Sequence, residues 1–278
     1  MTGIVLVALG QIFAETSISF GKSEVKKKEE SIYAFGFLQA IWSAIFLLVI
    51  GIFIRDNFVF TLASLPTFLS RAGIEMVLVF ISIHAIIEAE RSTFAFIHTL
   101  TIPLLLVVDT YLGYSFTTKQ LLGISAIVIA FIFLLLNHGL SKKGKILSLA
   151  SSVMAVGTIS LYKYNITHFN SVEAEQALML IIVILTLAIA AWFKNRENLF
   201  KEILEPKFFL QSASSGVAHV LVSFAYLFAQ ASIIVTAKRS FEILLSLVSG
   251  KSYFHEKHIL IKIVASAIIV VGLILLTT

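Results

Sequence analysis

Apolar runs of about 20 residues, the length a helix needs to cross a bilayer, recur along this chain and are separated by short polar breaks. Windows such as "SAIFLLVIGIFI" and "ALMLIIVILTLAIAAWF" are apolar on every side. A transmembrane strand would instead alternate over about 10 residues. The pattern therefore predicts helices over 3–21, 31–54, 71–87, 91–112, 117–137, 145–164, 173–193, 207–230, 232–250 and 257–276. The fold class expected is an all-α polytopic membrane protein with ten transmembrane helices.

Composition sharpens this reading. Hydrophobic residues make up 58% of the chain, charged residues 13%, and the mean hydropathy is +0.98, outside the range of soluble globular chains. The longest polar stretches, "GKSEVKKKEES" and "FKNRENLFKEILEPK", read as loops, so no soluble domain is expected. The first span is too polar at its end, and too closely followed by others, to be a cleaved signal peptide. With no cysteine, disulfides and thiolate metal sites are excluded. The net charge of +5 is concentrated in loops, where the lipid bilayer accounts for it without a nucleic-acid partner. Lys26, Lys27, Lys28, Lys142, Lys143 and Lys145 fall in odd-numbered loops, and Arg55, Arg71, Lys119 and Lys163 on the opposite side. Positive-inside then places the odd loops in the cytoplasm and both termini outside.

Internal similarity suggests duplication. A shift of 137 residues lays Thr99 on Thr236, Gly113 on Gly250, Ser115 on Ser252, Phe116 on Tyr253 and Pro103 on Ser240. A shift of 142 lays Ile4 on Ile146, Ala8 on Ala150, Thr16 on Thr158 and Phe20 on Tyr162. Two repeats follow, 1–140 and 141–278. Since each has five spans, an odd number, the second is inverted. Inverted repeats are the architecture of secondary transporters, whose site lies where the halves meet near the midplane.

Charge inside the spans marks candidate sites. A centred ion costs roughly 2.5–3.5 kcal/mol and each Leu, Ile or Phe returns about 0.3–0.6, so "IIVTAKRSFEILLSL" inserts only marginally. Within it Glu242 lies four residues from Lys238 and three from Arg239, and can neutralise either cation. The other is left to face a cavity and an anionic substrate, or to tie the ninth span to a neighbour. Glu15 in the first span reads as a substrate counter-ion or proton carrier, or as a carboxylate paired with Arg239 or Lys238 or bonded to Ser17 or Ser19. Lys163 reads as a lysine snorkelling at the boundary, and Asp109 as interfacial. His84, His98 and His219 lack a metal-ligand spacing and read as packing residues, while Phe224, Tyr226 and Phe228 are possible cavity walls. No Gly-x-Ser-x-Gly, His-Glu-x-x-His or P-loop occurs, so neither an enzyme nor ATP-driven transport is expected.

The run "AKRSFEILLSLVSGKSYFHEK", through Lys238, Arg239, Ser240, Gly250, Phe254, Glu256 and Lys257, resembles the ninth helix and following loop of EamA-type permeases of the drug/metabolite transporter superfamily. "FAFIHTLTIPLLLVVDTYLGYSFTTKQLLG", with Pro103, Gly113, Gln120 and Gly123, is similar to the family's first-half equivalent but lacks the loop glutamate. Glu15 and Lys22 resemble a spacing in small multidrug resistance transporters. The resemblance implies a permease with both termini inside, opposite to the charge count. It also makes an anion-binding role conceivable for Lys163, by likeness to a lysine of sugar-phosphate translocators.

Together these readings lead to an expected secondary transporter of a small polar metabolite, an amino acid or organic anion. Glu15, Lys163, Lys238, Arg239 and Glu242 form its translocation site, with no cofactor beyond a proton. Alternatives are a proton-coupled exporter of organic cations or drugs, and a nucleotide-sugar or sugar-phosphate exchanger. The expected setting is a prokaryotic cytoplasmic membrane, as a monomer or weak homo-oligomer.

Overall fold

The computed structural model describes residues 1–111, 117–137, 140–195, 199–256 and 259–277. Gly113, Tyr114, Ser115, Phe116 and Lys257, used above for the repeat and the resemblance, lie outside them, as does the side chain of Gln120. Among the described residues there is no strand. The long helices are α1 (Thr2–Lys27), α2 (Ile32–Val49, continued by a π-helical turn Ile50–Ile54), α3 (Leu65–Glu88), α4 (Arg91–His98) and α5 (Thr101–Tyr111). They are followed by α6 (Thr118–Leu136), α7 (Lys145–His168), α8 (Val172–Asn195), α9 (Pro206–Ala225), α10 (Ala231–Ser252) and α11 (Ile259–Thr277). Seven segments among the described residues are long and apolar enough to cross a membrane, with the α4–α5 pair counted as one. The apolar cores of α6 and α11 are shorter, and α10 carries the charges of "KRSFE". The chain is thus a polytopic helical membrane protein.

Local chemistry sets the helix ends. The three prolines, Pro66, Pro103 and Pro206, all stand in the first turn of a helix, where a missing N–H goes unnoticed. The α2 N-terminus is capped by Ser31, whose hydroxyl accepts from Ala34 N at 3.0 Å. Lys28 ends α1 in the left-handed conformation (φ 62°), letting Glu29 N reach Glu24 O. Gly144, at φ +67°, is required before α7, because a Cβ there would lie 2.6 Å from the backbone nitrogen of Ala89.

The span expected as one helix over 91–112 is two. Pro103 offers no N–H to the carbonyl of Thr99, so the chain tightens there: Ile102 N bonds Thr99 O, and the Thr99 and Thr101 hydroxyls bond Phe96 O and His98 O. A second difference is the start of α3 near Pro66 rather than at residue 71, which carries Arg71 into the helix.

α1 lies on α9 and α10, while α7 lies on α3 and the α4–α5 pair; α2 packs on α8 and α9, α6 on α11, and α4 crosses α10. Apolar side chains form two main clusters, one around Phe96, Ile102, Ile234 and Ile269, the other around Phe35, Phe37, Leu47 and Leu187. Between them lies a cavity lined by both charged and apolar side chains.

The connections before α2, α4, α7, α9 and α11 gather at one end of the bundle: Lys207 pairs with Glu24 and Glu29, Ser141 N bonds the Thr93 hydroxyl, and Lys262 bridges Glu90 and Glu256. Glu30, in the α1–α2 connection and outside the spans, is buried at this end. Its Oε1 accepts from Gln211 at 2.9 Å and its Oε2 has no partner. Burial pushes the Glu30 carboxyl up to about 8 against the pull of the Gln211 amide; nearby Glu202 and Glu24 add to the rise and Lys207 opposes it. A raised carboxyl favours the fold fully below its unfolded value near 4.5, and that contribution is lost as pH rises through about 8. The melting temperature is expected to fall between pH 5 and 8, and Glu30→Gln to flatten that slope and gain a few degrees at pH 8. Parallel curves for the two proteins would show that Glu30 is not the group responsible.

Candidate functional site

A cavity of about 360 Å³ opens between the two clusters, lined by side chains from α1, α2, α3, α4, α7, α8, α9 and α10. Its charged lining consists of Glu15, Arg71, Glu75, Arg91, Lys238, Arg239 and Glu242. In an apolar bundle each such group is costly unless matched, so the pairing pattern shows which charges are left for other work.

Three pairs are closed. Arg91, fully buried, donates to Glu15 from Nη2 at 2.6 Å and from Nε at 3.2 Å. Ser19 and Ser249 also donate to Glu15, at 2.9 and 2.5 Å, so the carboxylate has four donors, about its capacity. Arg239 holds Glu242 at 2.5 Å, and its Nε reaches Thr101 at the break between α4 and α5, at 3.3 Å. Arg71 donates to Glu175 at 2.8 Å and to Gln176 at 2.7 Å, and sits 4.7 Å over the ring of Tyr162.

Lys238 belongs to none of these pairs. Its ammonium makes no hydrogen bond or ion pair among the described residues, and it faces the cavity, where Glu242 and Glu75 act on it through space. Glu242 thus neutralises Arg239, and the surplus cation of the ninth-span cluster is the lysine. Glu75 likewise makes no ion pair among the described residues, with the Thr158 hydroxyl beside its carboxylate.

The remaining charges act as helix caps. Lys22 donates to the carbonyls of Ile86 (2.8 Å) and Ala89 at the end of α3, and Lys163 donates to Tyr226 O at 2.6 Å at the end of α9. Lys163 therefore lies outside the cavity lining. Glu256 accepts from the Arg91 backbone N–H at 2.5 Å and from Ser92, closing the N-terminus of α4. Gly250 makes room for it, since a Cβ there would come within 2.7 Å of that carboxyl. Asp109 is buried, with Ser232 of the first turn of α10 beside it.

The structure brings Glu15, Lys238, Arg239 and Glu242 to one cavity. It adds Arg71, Glu75 and Arg91, which sequence reasoning missed. The signal for the first two was Pro66: placing the helix start there puts "RAGIE" inside the membrane, with Arg71 and Glu75 four apart on one face. His98 and His219 line the cavity, His98 bonded to Ser151 at 2.8 Å and His219 to Ser43 at 3.0 Å, while His84 bonds within its own helix. Tyr226 is a wall, as anticipated; Phe224 instead stacks under Arg55, and Phe228 points outward. Among the described residues no cluster could hold a metal ion.

The fold and cavity define the class: a polytopic helical membrane protein with a charged central chamber. No protein-family model matches the chain, and no curated protein matches it either.

Proposed function

We propose that the protein is a secondary transporter, a permease of the EamA type, which carries a small polar metabolite bearing an acidic group through ten spans arranged as two inverted five-helix repeats. The observation that carries this is the ammonium of Lys238, which has no ion-pair or hydrogen-bond partner among the described residues, in a chamber where Glu15, Arg71, Arg91, Arg239 and Glu242 are all held in ion pairs. Uncompensated charge at membrane depth has a cost, and such groups mark substrate pathways. The chamber volume sits at the lower end of small-molecule pockets.

Two features support the inverted repeat. Exchanging α1 with α7, α2 with α8, α3 with α9, α4–α5 with α10 and α6 with α11 maps α1 on α9 onto α7 on α3 and α1 on α10 onto α7 on α4–α5, and returns α2 on α8 and α6 on α11 to themselves, although α2 packs more extensively on α9 than α8 does on α3. One pair of caps follows the same exchange: Lys22 on the end of α3 corresponds to Lys163 on the end of α9. The α4–α5 break beside Arg239 fits the discontinuous helices that surround transporter sites.

Uptake into proteoliposomes against a metabolite panel, with and without a pH gradient, tests the function; a protein that moves none of the panel in either condition is not this transporter. Orientation is tested separately. Lys27→Cys and Asp56→Cys place single thiols on either side of α2, at opposite ends of the helix bundle, in a protein with no native cysteine. Lys27→Cys is expected to label from the cytoplasmic side only and Asp56→Cys from outside only. Labelling of both from one side would break the ten-span arrangement, and the reverse pattern would place the termini inside.

A further inference from the structure

Once the Glu15–Arg91, Arg239–Glu242 and Arg71–Glu175 pairs are set aside, the charged lining of the cavity reduces to one ammonium and one carboxylate, Lys238 on α10 and Glu75 on α3. They face the same chamber but do not meet within ion-pair distance, although each lies in the other's field. Arg71, one turn before Glu75 on α3, is the other cation near it, but two of its guanidinium nitrogens are committed to Glu175 and Gln176.

Two opposite charges held apart across a low-dielectric gap form an incomplete pair. A ligand that completes it must present an anionic group to Lys238 and a cationic donor to Glu75. A simple organic anion would satisfy Lys238 but would bring its charge into the field of Glu75, and like charges in such surroundings cost far more than in water. An organic cation would meet the same difficulty with Lys238.

We infer that Glu75 forms an ammonium subsite and, with Lys238 as its acid-group partner, selects zwitterions, amino-acid-like molecules of no net charge, over plain organic anions and plain amines. This rests on the transporter reading above and names the substrate class of that same cavity. The broken α4–α5 helix contributes indirectly: Thr101 takes the Arg239 Nε, keeping that guanidinium with Glu242 and leaving Lys238 as the acid-group partner.

The test uses the purified full-length chain at pH 7. L-alanine, L-leucine, L-phenylalanine and L-glutamine are each compared with the matched carboxylic acid lacking the amine and the matched amine lacking the carboxylate. Binding is read by ligand-induced thermal stabilisation and by counterflow in proteoliposomes. At least one amino acid is expected to bind about ten- to a hundredfold more tightly than both analogues, the range for one charged hydrogen-bonded contact. Glu75→Gln, which keeps an acceptor beside Thr158, is expected to abolish the preference over the acid while the acid itself binds as well or better. Lys238→Gln is expected to abolish the preference over the amine. The inference is overturned if the acid binds wild-type protein as tightly as the amino acid, if Glu75→Gln leaves the ratio unchanged in a monodisperse protein, or if no amino acid binds. In each case, Lys238-dependent uptake of an organic anion from the wider panel would leave the transporter reading standing, and no uptake of any compound would remove both.

Discussion

Arg91→Ala is expected to leave little folded protein. Arg91 is fully buried at the first residue of α4, and its guanidinium supplies two of the four donors on Glu15. Removing it leaves an uncompensated carboxylate inside the bundle, a loss of roughly 3–5 kcal/mol, a large part of the stability of most domains. The backbone N–H that Glu256 caps is untouched by the substitution, so the effect isolates the ion pair from the helix cap. A charge-neutral Glu15→Gln/Arg91→Gln protein should recover most of the loss, because neither member is then left charged alone. Monodispersity in detergent and the thermal midpoint measure both steps; a wild-type midpoint for Arg91→Ala would mean that the pair contributes nothing. The double variant also bears on coupling: pH-driven uptake that persists in it sets Glu15 aside as the proton carrier.

Lys238→Ala is expected to do the opposite, sparing the fold and removing function. Its ammonium makes no hydrogen bond among the described residues, so truncation orphans none of them and relieves a costly charge. Uptake efficiency should nevertheless fall by about two orders of magnitude, the usual consequence of deleting one member of a desolvated charge contact with substrate. Arg239→Lys provides the contrast. That side chain is engaged with Glu242 and Thr101, and a point charge cannot reproduce the fork, so the melting temperature should fall along with uptake. Normal uptake by Lys238→Ala in a stable protein would show that Lys238 holds no part of the substrate and would overturn its role as acid-group partner, while leaving the protein a transporter.

Much of the architecture is legible in one dimension. A segment apolar on every side has no soluble alternative to a membrane helix, and a membrane helix satisfies its own backbone without help from neighbours. Such helices are therefore encoded locally, and the long apolar runs of α2 and α8 reveal themselves by composition alone. The same holds for "KRSFE", because charge inside an apolar run stands out whatever surrounds it. Where local chemistry was underweighted, the boundary moved: Pro66 signalled the start of α3 and Pro103 the break after α4, and both depend on a missing N–H rather than on hydropathy.

Pairing was not legible. Glu15 could be seen as a buried acid, but its partner Arg91 is 76 residues away and looks, in sequence, like an ordinary loop cation. Lys22, Lys163 and Glu256 likewise read as boundary charges until the helix ends they cap were brought beside them. Lys238 and Arg239 are adjacent in the chain and chemically alike. Which of them Glu242 neutralises was settled by the position of Thr101 and the rotation of α10 against α4, and Glu75 acquired its meaning only from what lies across the chamber. The sequence by itself determined that the chain forms membrane helices and carries charge within them, because hydropathy and backbone hydrogen bonding act over a few residues. Only the tertiary structure decided which charges cancel and which remain, because in a low-dielectric interior that depends on distances of a few ångströms between helices remote in sequence.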